Sequence, residues 1–296
     1  MLWPSVRLWH QHSLGLHAGT PRIGFPIFEL TDFTDVEKHQ IEAVDALFVC
    51  SKWAESKVRS KTKQSNVYVV PLGVDNEIFT PQETVDGPTS FLITGKWEIR
   101  KSHEIVATIL NKFANKNIKV ILACINPFCS QEENESWINM FKPLGDKVVV
   151  APRYQTQEEY AKLYSMVDCI LSPSRAEGWN LPVLEAMACG KQVITTNYSA
   201  HTEFCTPNNS MLVDIDELST AHDGKFFKSG IGKWARIGHR QTQQISDYID
   251  LVISNKESGN LRINQDGINT ALKYSWSNVS SIFLESVLHV QSSAVS

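Results

Sequence analysis

From about Ala46 onward, short apolar runs alternate with longer stretches of helical spacing, the pattern of a parallel sheet covered on both faces. The runs at 46–50, 67–70, 91–94, 119–123, 148–151, 169–171 and 193–195 predict buried strands. Residues 52–61, 102–113, 131–142, 156–166 and 182–189 lie between them and predict helices. Thr156, before Glu158 and Glu159, marks one helix start by its capping residue and acidic first turn. The clearest linker is 81–89, where Pro81, Gly87 and Pro88 interrupt the pattern. The expected organisation is therefore an N-terminal lobe over 1–84 and a C-terminal lobe over 85–275, both Rossmann-like. Before Ala46 no glycine-rich turn follows a first strand. Beyond Asp216 the periodicity fades, and 217–239, with Gly224, Gly230, Gly232 and Gly238, is expected to be a long loop or insertion. Helical spacing returns at 240–254, 262–274 and 276–290.

A chain of 296 residues with 42% hydrophobic content is large enough for two globular domains. Its net charge of −4 and pI near 6.1 exert no global pull toward nucleic acid or anionic membrane. Nucleic acid is an unlikely partner on that ground. The six cysteines are scattered without a Cys-x-x-Cys pair, as expected for reduced core thiols in a cytoplasmic protein. Residues 1–16 are interrupted by Arg7, His10, Gln11 and His12, unlike a signal peptide. No apolar run approaches the roughly 20 residues that span a bilayer. One local exception to the acidic balance is the basic helix at 52–63, with Lys52, Lys57, Arg59, Lys61, Lys63 and Trp53. A solvated face is the default for it, and peripheral contact with anionic lipid is the sharper reading.

The segment 172–197 concentrates the chemistry. Asn180 is a natural N-cap, Pro182 falls in the first turn of a helix, and Gly190 ends that helix before the strand at Val193. Glu177 then lies in the loop before the helix and Glu185 within its first turns. Both are near the positive end of the helix dipole, where free amides receive phosphate. Carboxylates for hydroxyls beside amides for an anion suit a sugar joined to a diphosphate. A second loop begins at Gly95, at the carboxyl end of the 91–94 strand, where an open sheet lets backbone approach a ligand; it carries Lys96, Arg100 and Lys101.

The glutamate–seven residues–glutamate spacing of Glu177 and Glu185, with Gly178-Trp179-Asn180-Leu181-Pro182 and Ala186-Met187-Ala188-Cys189-Gly190 around it, resembles the retaining glycosyltransferases of family 4 (group 1). The resemblance covers about residues 20–215. It implies a GT-B fold, two Rossmann-like lobes with parallel sheets facing across a cleft, here with an unusually short N-terminal lobe. It also implies that the last helix, 276–296, crosses back onto that lobe. The implied reaction moves a sugar from a nucleotide diphosphate sugar to an acceptor hydroxyl with retention and without a metal or other cofactor. In such a site Gly95, Lys96, Lys101 and the amides of Gly178, Trp179, Asn180 and Leu181 would hold the diphosphate. Lys96 stands where the family has arginine, a departure because lysine cannot make the bidentate fork, and Arg100 would partly replace it. Glu177 would orient donor-sugar hydroxyls and Glu185 the ribose, with Arg153 and Tyr154 at the base. His10 and His12 are similar to a family histidine lining the reaction centre, and Glu29 to a carboxylate of a family subset.

Acceptor glycan, lipid-linked sugar and small molecule all stay open. A non-catalytic nucleotide-sugar-binding subunit and a nucleotide-sugar epimerase are the alternatives. Asp214-Ile215-Asp216 spells Asp-x-Asp, which reads as turn formers rather than as metal ligands. Glu203 is expected to order a helix start.

Overall fold

The computed structural model describes residues 3–83 and 85–293. Met1, Leu2, Thr84 and residues 294–296 lie outside the described residues, including the end of the expected C-terminal helix. The first sheet is formed by β1 (Ser5–Leu8), β2 (Arg22–Phe25), β3 (Ala46–Val49) and β4 (Val67–Val69), all parallel and in chain order. Side chains alternate across it. Leu47 and Val49 join Leu14, Phe28 and Phe33 beneath α1 (Asp35–Glu42) and α2 (Lys52–Lys61). Ala46 and Phe48 face the other way, into a core shared with the second sheet. Thr34 and Glu37 close a capping box on α1, and Ser51 caps α2.

The second sheet begins at its centre. β5 (Thr89–Gly95) pairs with β6 (Ile118–Cys124), which pairs with β7 (Val148–Val150) at one edge. The chain then returns to the other side of β5 with β8 (Cys169–Ser172), β9 (Gln192–Thr196) and β10 (Met211–Val213). All six strands are parallel in the order β10-β9-β8-β5-β6-β7, so the winding direction reverses between β5 and β8. Such a switch point leaves a crevice at the carboxyl ends of the two strands. The crossovers contain α3 (His103–Leu110), α4 (Gln131–Asn139), α5 (Gln157–Ala161), α6 (Leu181–Ala188) and α7 (His201–Phe204).

Two features depart from the reading of the chain. β1 and β2 precede Ala46, where no strand pattern is legible. β1 is half-buried, and β2 is interrupted by Gly24, where a Cβ would meet Leu14 Cδ2 at 2.5 Å. The glycine is there for packing, and it erases the apolar run. Likewise 217–239 is not merely a loop: β11 (Leu218–Thr220) and β12 (Lys233–Ala235) form an antiparallel pair in register Leu218↔Ala235. Strands of three residues with an exposed face leave no alternation to detect.

Three helices follow: α8 (His239–Glu257), α9 (Gln265–Lys273) and α10 (Trp276–Ser293). α10 lies on the first sheet, with Phe283 edge-on to Phe48 at 5.8 Å and His289 edge-on to Tyr68 at 5.7 Å. Gly73 makes its approach possible, since a Cβ there would meet Val279 Cγ2 at 2.5 Å. Near the linker, Asp168 is fully buried and accepts from Ser90 N and Oγ, both at 2.8 Å, and from Lys256 Nζ at 2.6 Å. Lys256 also donates to Val85 O, tying the linker to α8. Five of the six cysteines are buried and all are unpaired.

Candidate functional site

The β5 and β8 ends at the switch point carry the two loops singled out above. β5 closes on Gly95, held at φ +104°, where a Cβ would meet Lys101 Cε at 3.3 Å. Only glycine takes this backbone without strain and lets the Lys101 chain pass over it. A 3-10 turn over Ile99–Lys101 then directs Arg100 and Lys101 across the crevice. Lys101 Nζ donates to Glu177 Oε1 at 2.6 Å, and Arg100 Nη1 to Glu177 Oε2 at 2.9 Å and to Ala176 O at 2.8 Å. Glu177 is thus gripped at both oxygens, while its own amide donates to Ser199 Oγ at 2.9 Å. Burial alone would raise its pKa, but Lys101 and Arg100 hold it well below the usual carboxylate range.

Arg100 also meets Glu98 at 3.0 Å and, across the cleft, Glu29 of the N-terminal lobe at 3.8 Å. Burial raises the Glu29 carboxyl, with Arg100 opposing and Glu177 adding to the rise. Lys96 extends elsewhere. Its ammonium pairs with Glu98 at 3.3 Å and lies 5.5 Å from the Phe128 ring centroid and 5.9 Å from that of Phe226. The arginine in contact with Glu177 is Arg100, while Lys96 pairs with Glu98 instead.

Glu185, within α6, faces a cavity of about 510 Å³ with Arg153, Tyr154 and Tyr160 in its wall. Burial pushes its carboxyl up to about 7, against the hydrogen bond it accepts from Tyr164 Oη at 2.8 Å. Tyr154 packs edge-on to Tyr160 at 6.2 Å. The structure therefore brings Glu185, Arg153 and Tyr154 to one cavity and Glu177, Arg100 and Lys101 to the adjoining crevice.

A second cavity, of about 400 Å³, opens between the lobes. His10 and His12, with rings 5.8 Å apart and nearly parallel, line it together with Glu29, Lys96 and Arg100.

Three residues of the Glu177 motif make side-chain or packing contacts that the pattern does not show. Asn180 occupies the cap position of α6 but at φ +85°, and its side chain makes no capping bond. Its amide group instead meets Ser172 Oγ at 2.9 Å and His201 Nε2 at 2.8 Å, a buried network that also includes Thr195. The Trp179 side chain is buried against Phe204 and Tyr274, at 4.9 and 5.5 Å, so only its backbone can face a ligand. Gly178 abuts the N-terminal lobe, where a Cβ would meet Ile27 Cγ2 at 2.4 Å. Among the described residues the backbone amides of Gly178 to Leu181 donate no hydrogen bond.

The other candidates have local partners. Asp216 pairs with Arg240 at 2.9 Å and accepts from Gln241, and Arg240 is 3.9 Å from Asp214. Among the described residues no group of three or more His, Cys, Asp or Glu is placed to hold a metal. Glu203 accepts from Lys52 N at 2.8 Å, so it satisfies the start of a helix in the opposite lobe. On α2, Arg59 pairs with Glu55, Lys61 with Asp32, and Lys57 lies over the Trp53 ring. No helix of the described residues is long and apolar enough to cross a membrane. Glu98, which orders Lys96 and Arg100, carries no signal in the sequence.

Two parallel sheets meeting across such a crevice also define a known architecture. Residues 88–222 match the family model of glycosyl transferases group 1. The chain has their GT-B fold. Among solved structures, a sucrose-phosphate synthase from Thermosynechococcus elongatus superposes with a TM-score of 0.70 at 18% identity, covering 93% of this chain and 69% of that one. Anabaena HepE in complex with UDP and glucose also gives 0.70, at 12% identity, covering 90% and 71%. Among curated sequences, the MMP α-(1→4)-mannosyltransferase of Mycolicibacterium hassiacum is 23% identical over 196 residues, 63% of this chain and 46% of its own length. A probable sucrose-phosphate synthase of Thermosipho melanesiensis is 24% identical over 151 residues, 47% of this chain and 34% of its own. The chain thus spans half or less of the curated relatives it matches.

Proposed function

We propose that this protein is a glycosyltransferase that moves a sugar from a nucleotide diphosphate sugar to an acceptor hydroxyl, with retention and without a metal. The observation that carries the reading is the double grip of Lys101 and Arg100 on Glu177 at the switch point, beside the cavity holding Glu185. In the proposed complex, the base and ribose occupy the cavity of Arg153, Tyr154 and Glu185. The diphosphate lies over Lys101 and the free amides of the Gly178–Leu181 turn. A diphosphate there draws Lys101 from Glu177 Oε1, and the released oxygen then accepts from a donor-sugar hydroxyl. The acceptor oxygen bonds to the anomeric carbon on the face from which the diphosphate leaves, the carbon–phosphate oxygen bond breaks, and the acceptor proton passes to the departing phosphate oxygen. Preorganised cations at the developing charge supply the main stabilisation. The acceptor enters from the His10, His12 and Glu29 side, and the lobes exclude water that would hydrolyse the donor.

Thermal denaturation against UDP-, GDP-, ADP- and dTDP-sugars tests the donor assignment. A ligand at about a hundred times its Kd stabilises the native state by ~2.7 kcal/mol. One base should raise the midpoint by several degrees, and Lys101→Glu should remove most of that rise. If no nucleotide sugar moves the midpoint, the assignment fails. If one does and no transfer or donor hydrolysis accompanies it, the protein is a binding subunit instead.

A further inference from the structure

The turn from Glu177 to Asn180 is held from behind by one short segment, Ser199 to His201, which follows β9. At the Glu177 end, Ser199 Oγ accepts from the Glu177 amide at 2.9 Å, and the Ala200 amide donates to the Glu177 carbonyl at 3.3 Å. At the Asn180 end, Asn180 Nδ2 donates to Ser172 Oγ at 2.9 Å and lies 2.8 Å from His201 Nε2. Asn180 stands at φ +85° and Ser199 at φ +54°, left-handed backbone that a residue with a Cβ rarely keeps unless its surroundings impose it. Ser199, Ala200 and His201 are fully buried, so water does not compete for these bonds.

The partners of His201 fix its tautomer. Nδ1 lies 3.1 Å from Thr196 O, which can only accept, so Nδ1 carries the proton. Thr195 Oγ1 and Thr196 Oγ1, 3.1 and 3.2 Å from the same nitrogen, donate to Ser172 O and Ser174 O and so offer it only lone pairs. Burial holds the ring's pKa down to about 4, so at neutral pH Nε2 keeps its lone pair and accepts from Asn180. Both N–H groups of the Asn180 amide are then engaged, one at the end of β8 and one on His201. The amides of Gly178 to Leu181, which donate no hydrogen bond among the described residues, belong to the turn so held. We propose that His201 is a positioning residue for the diphosphate: its hydrogen bond to Asn180 fixes the left-handed turn that aims the Gly178–Leu181 amides at the leaving group. The inference rests on the glycosyltransferase reading above.

The test takes whichever of UDP, GDP, ADP and dTDP raises the melting midpoint and compares its affinity, by titration calorimetry, with that of the bare nucleoside measured in competition. His201→Leu is similar in bulk and removes both hydrogen bonds. It should weaken the diphosphate by about tenfold and the nucleoside by less than about twofold. His201→Gln can donate to Thr196 O and accept from Asn180, and should bring diphosphate affinity back to within about threefold of wild type. Asn180→Ala should weaken the diphosphate as much as His201→Leu does, and combining the two should add no further loss, because the histidine acts through the amide. Turnover should follow, with kcat lowered in His201→Leu and acceptor KM within about twofold of wild type. Wild-type diphosphate affinity in His201→Leu, an equal loss for the nucleoside, or additive losses in the double variant overturns the inference and leaves the transferase standing. If His201→Leu does not fold, Asn180→Ala decides: a loss selective for the diphosphate supports the inference and an unselective one overturns it. Failure of every nucleotide to raise the midpoint sinks the donor-site reading itself and the inference with it.

Discussion

Replacing Glu185 by glutamine should stabilise the ligand-free protein at pH 8 and weaken nucleotide binding at the same time. The carboxyl is pushed up from 4.5 to about 7 by burial. Between those values the folded state holds a proton that the unfolded chain has already lost, so folding is favoured by low pH at this position. Stability from this group is intact below pH 4.5, declines as pH rises, and is fully lost above pH 7. At about 1.4 kcal/mol per pH unit, the ionised carboxylate costs the native state roughly 3 kcal/mol above that point. Glutamine matches the neutral acid in shape and still accepts from Tyr164 Oη, the hydrogen bond seen at 2.8 Å. The variant should therefore melt close to wild type at pH 4.5 and about 6–12 °C higher at pH 8. Its affinity for the nucleotide should fall by ~10- to 100-fold, since an acceptor of charge-assisted hydrogen bonds has been removed. Differential scanning calorimetry from pH 4.5 to 8, paired with titration calorimetry of the nucleotide, measures both quantities. A stability difference that does not grow with pH would refute the burial argument. Unchanged nucleotide affinity would remove Glu185 from the donor site even if the pH profile were as expected.

Lys101→Ala should lower kcat by ~10²-fold or more, because one donor aimed at developing charge contributes about 3 kcal/mol; wild-type turnover in a folded variant would take Lys101 out of the mechanism. Activity should survive EDTA, with the cations of the chain standing in for a metal at the diphosphate. Loss of activity that magnesium or manganese restores would instead make Asp214 and Asp216 ligands, and would require Arg240 to leave them.

What the chain shows in sequence is what is local. β5, β6, β8 and β9 are buried on both faces, so each carries a short, largely apolar run that needs no partner to be recognised. The switch between β5 and β8 depends instead on which strand pairs with which, over 78 residues in the case of Ser90 and Asp168. Side-chain direction is equally hidden. Trp179 and Asn180 sit beside Glu177 in the motif, yet the left-handed turn at Asn180 sends the indole into the core and the amide to His201. The same limit explains Lys96 and Arg100. Both are cations in one loop, and only the 3-10 turn after Glu98 decides which reaches Glu177.

That turn also sets the electrostatics of the crevice. Glu29, Glu98 and Glu177 are matched by Lys96, Arg100 and Lys101, so the ligand-free cluster is close to neutral. A site with three uncompensated cations would hold diphosphate product as firmly as it holds the leaving group, and release would be slow. Here each cation already has a carboxylate to return to. In the mechanism we propose, Glu177 takes back Lys101 when the diphosphate departs, at the oxygen that orients the donor sugar in the proposed complex. Arg100 has no such freedom, because it is buried and shared among Glu177, Glu98 and Glu29. It links Glu29 of the N-terminal lobe to Glu177 across the cleft. The charge that moves in the proposed mechanism is therefore Lys101, and the one that stays is Arg100.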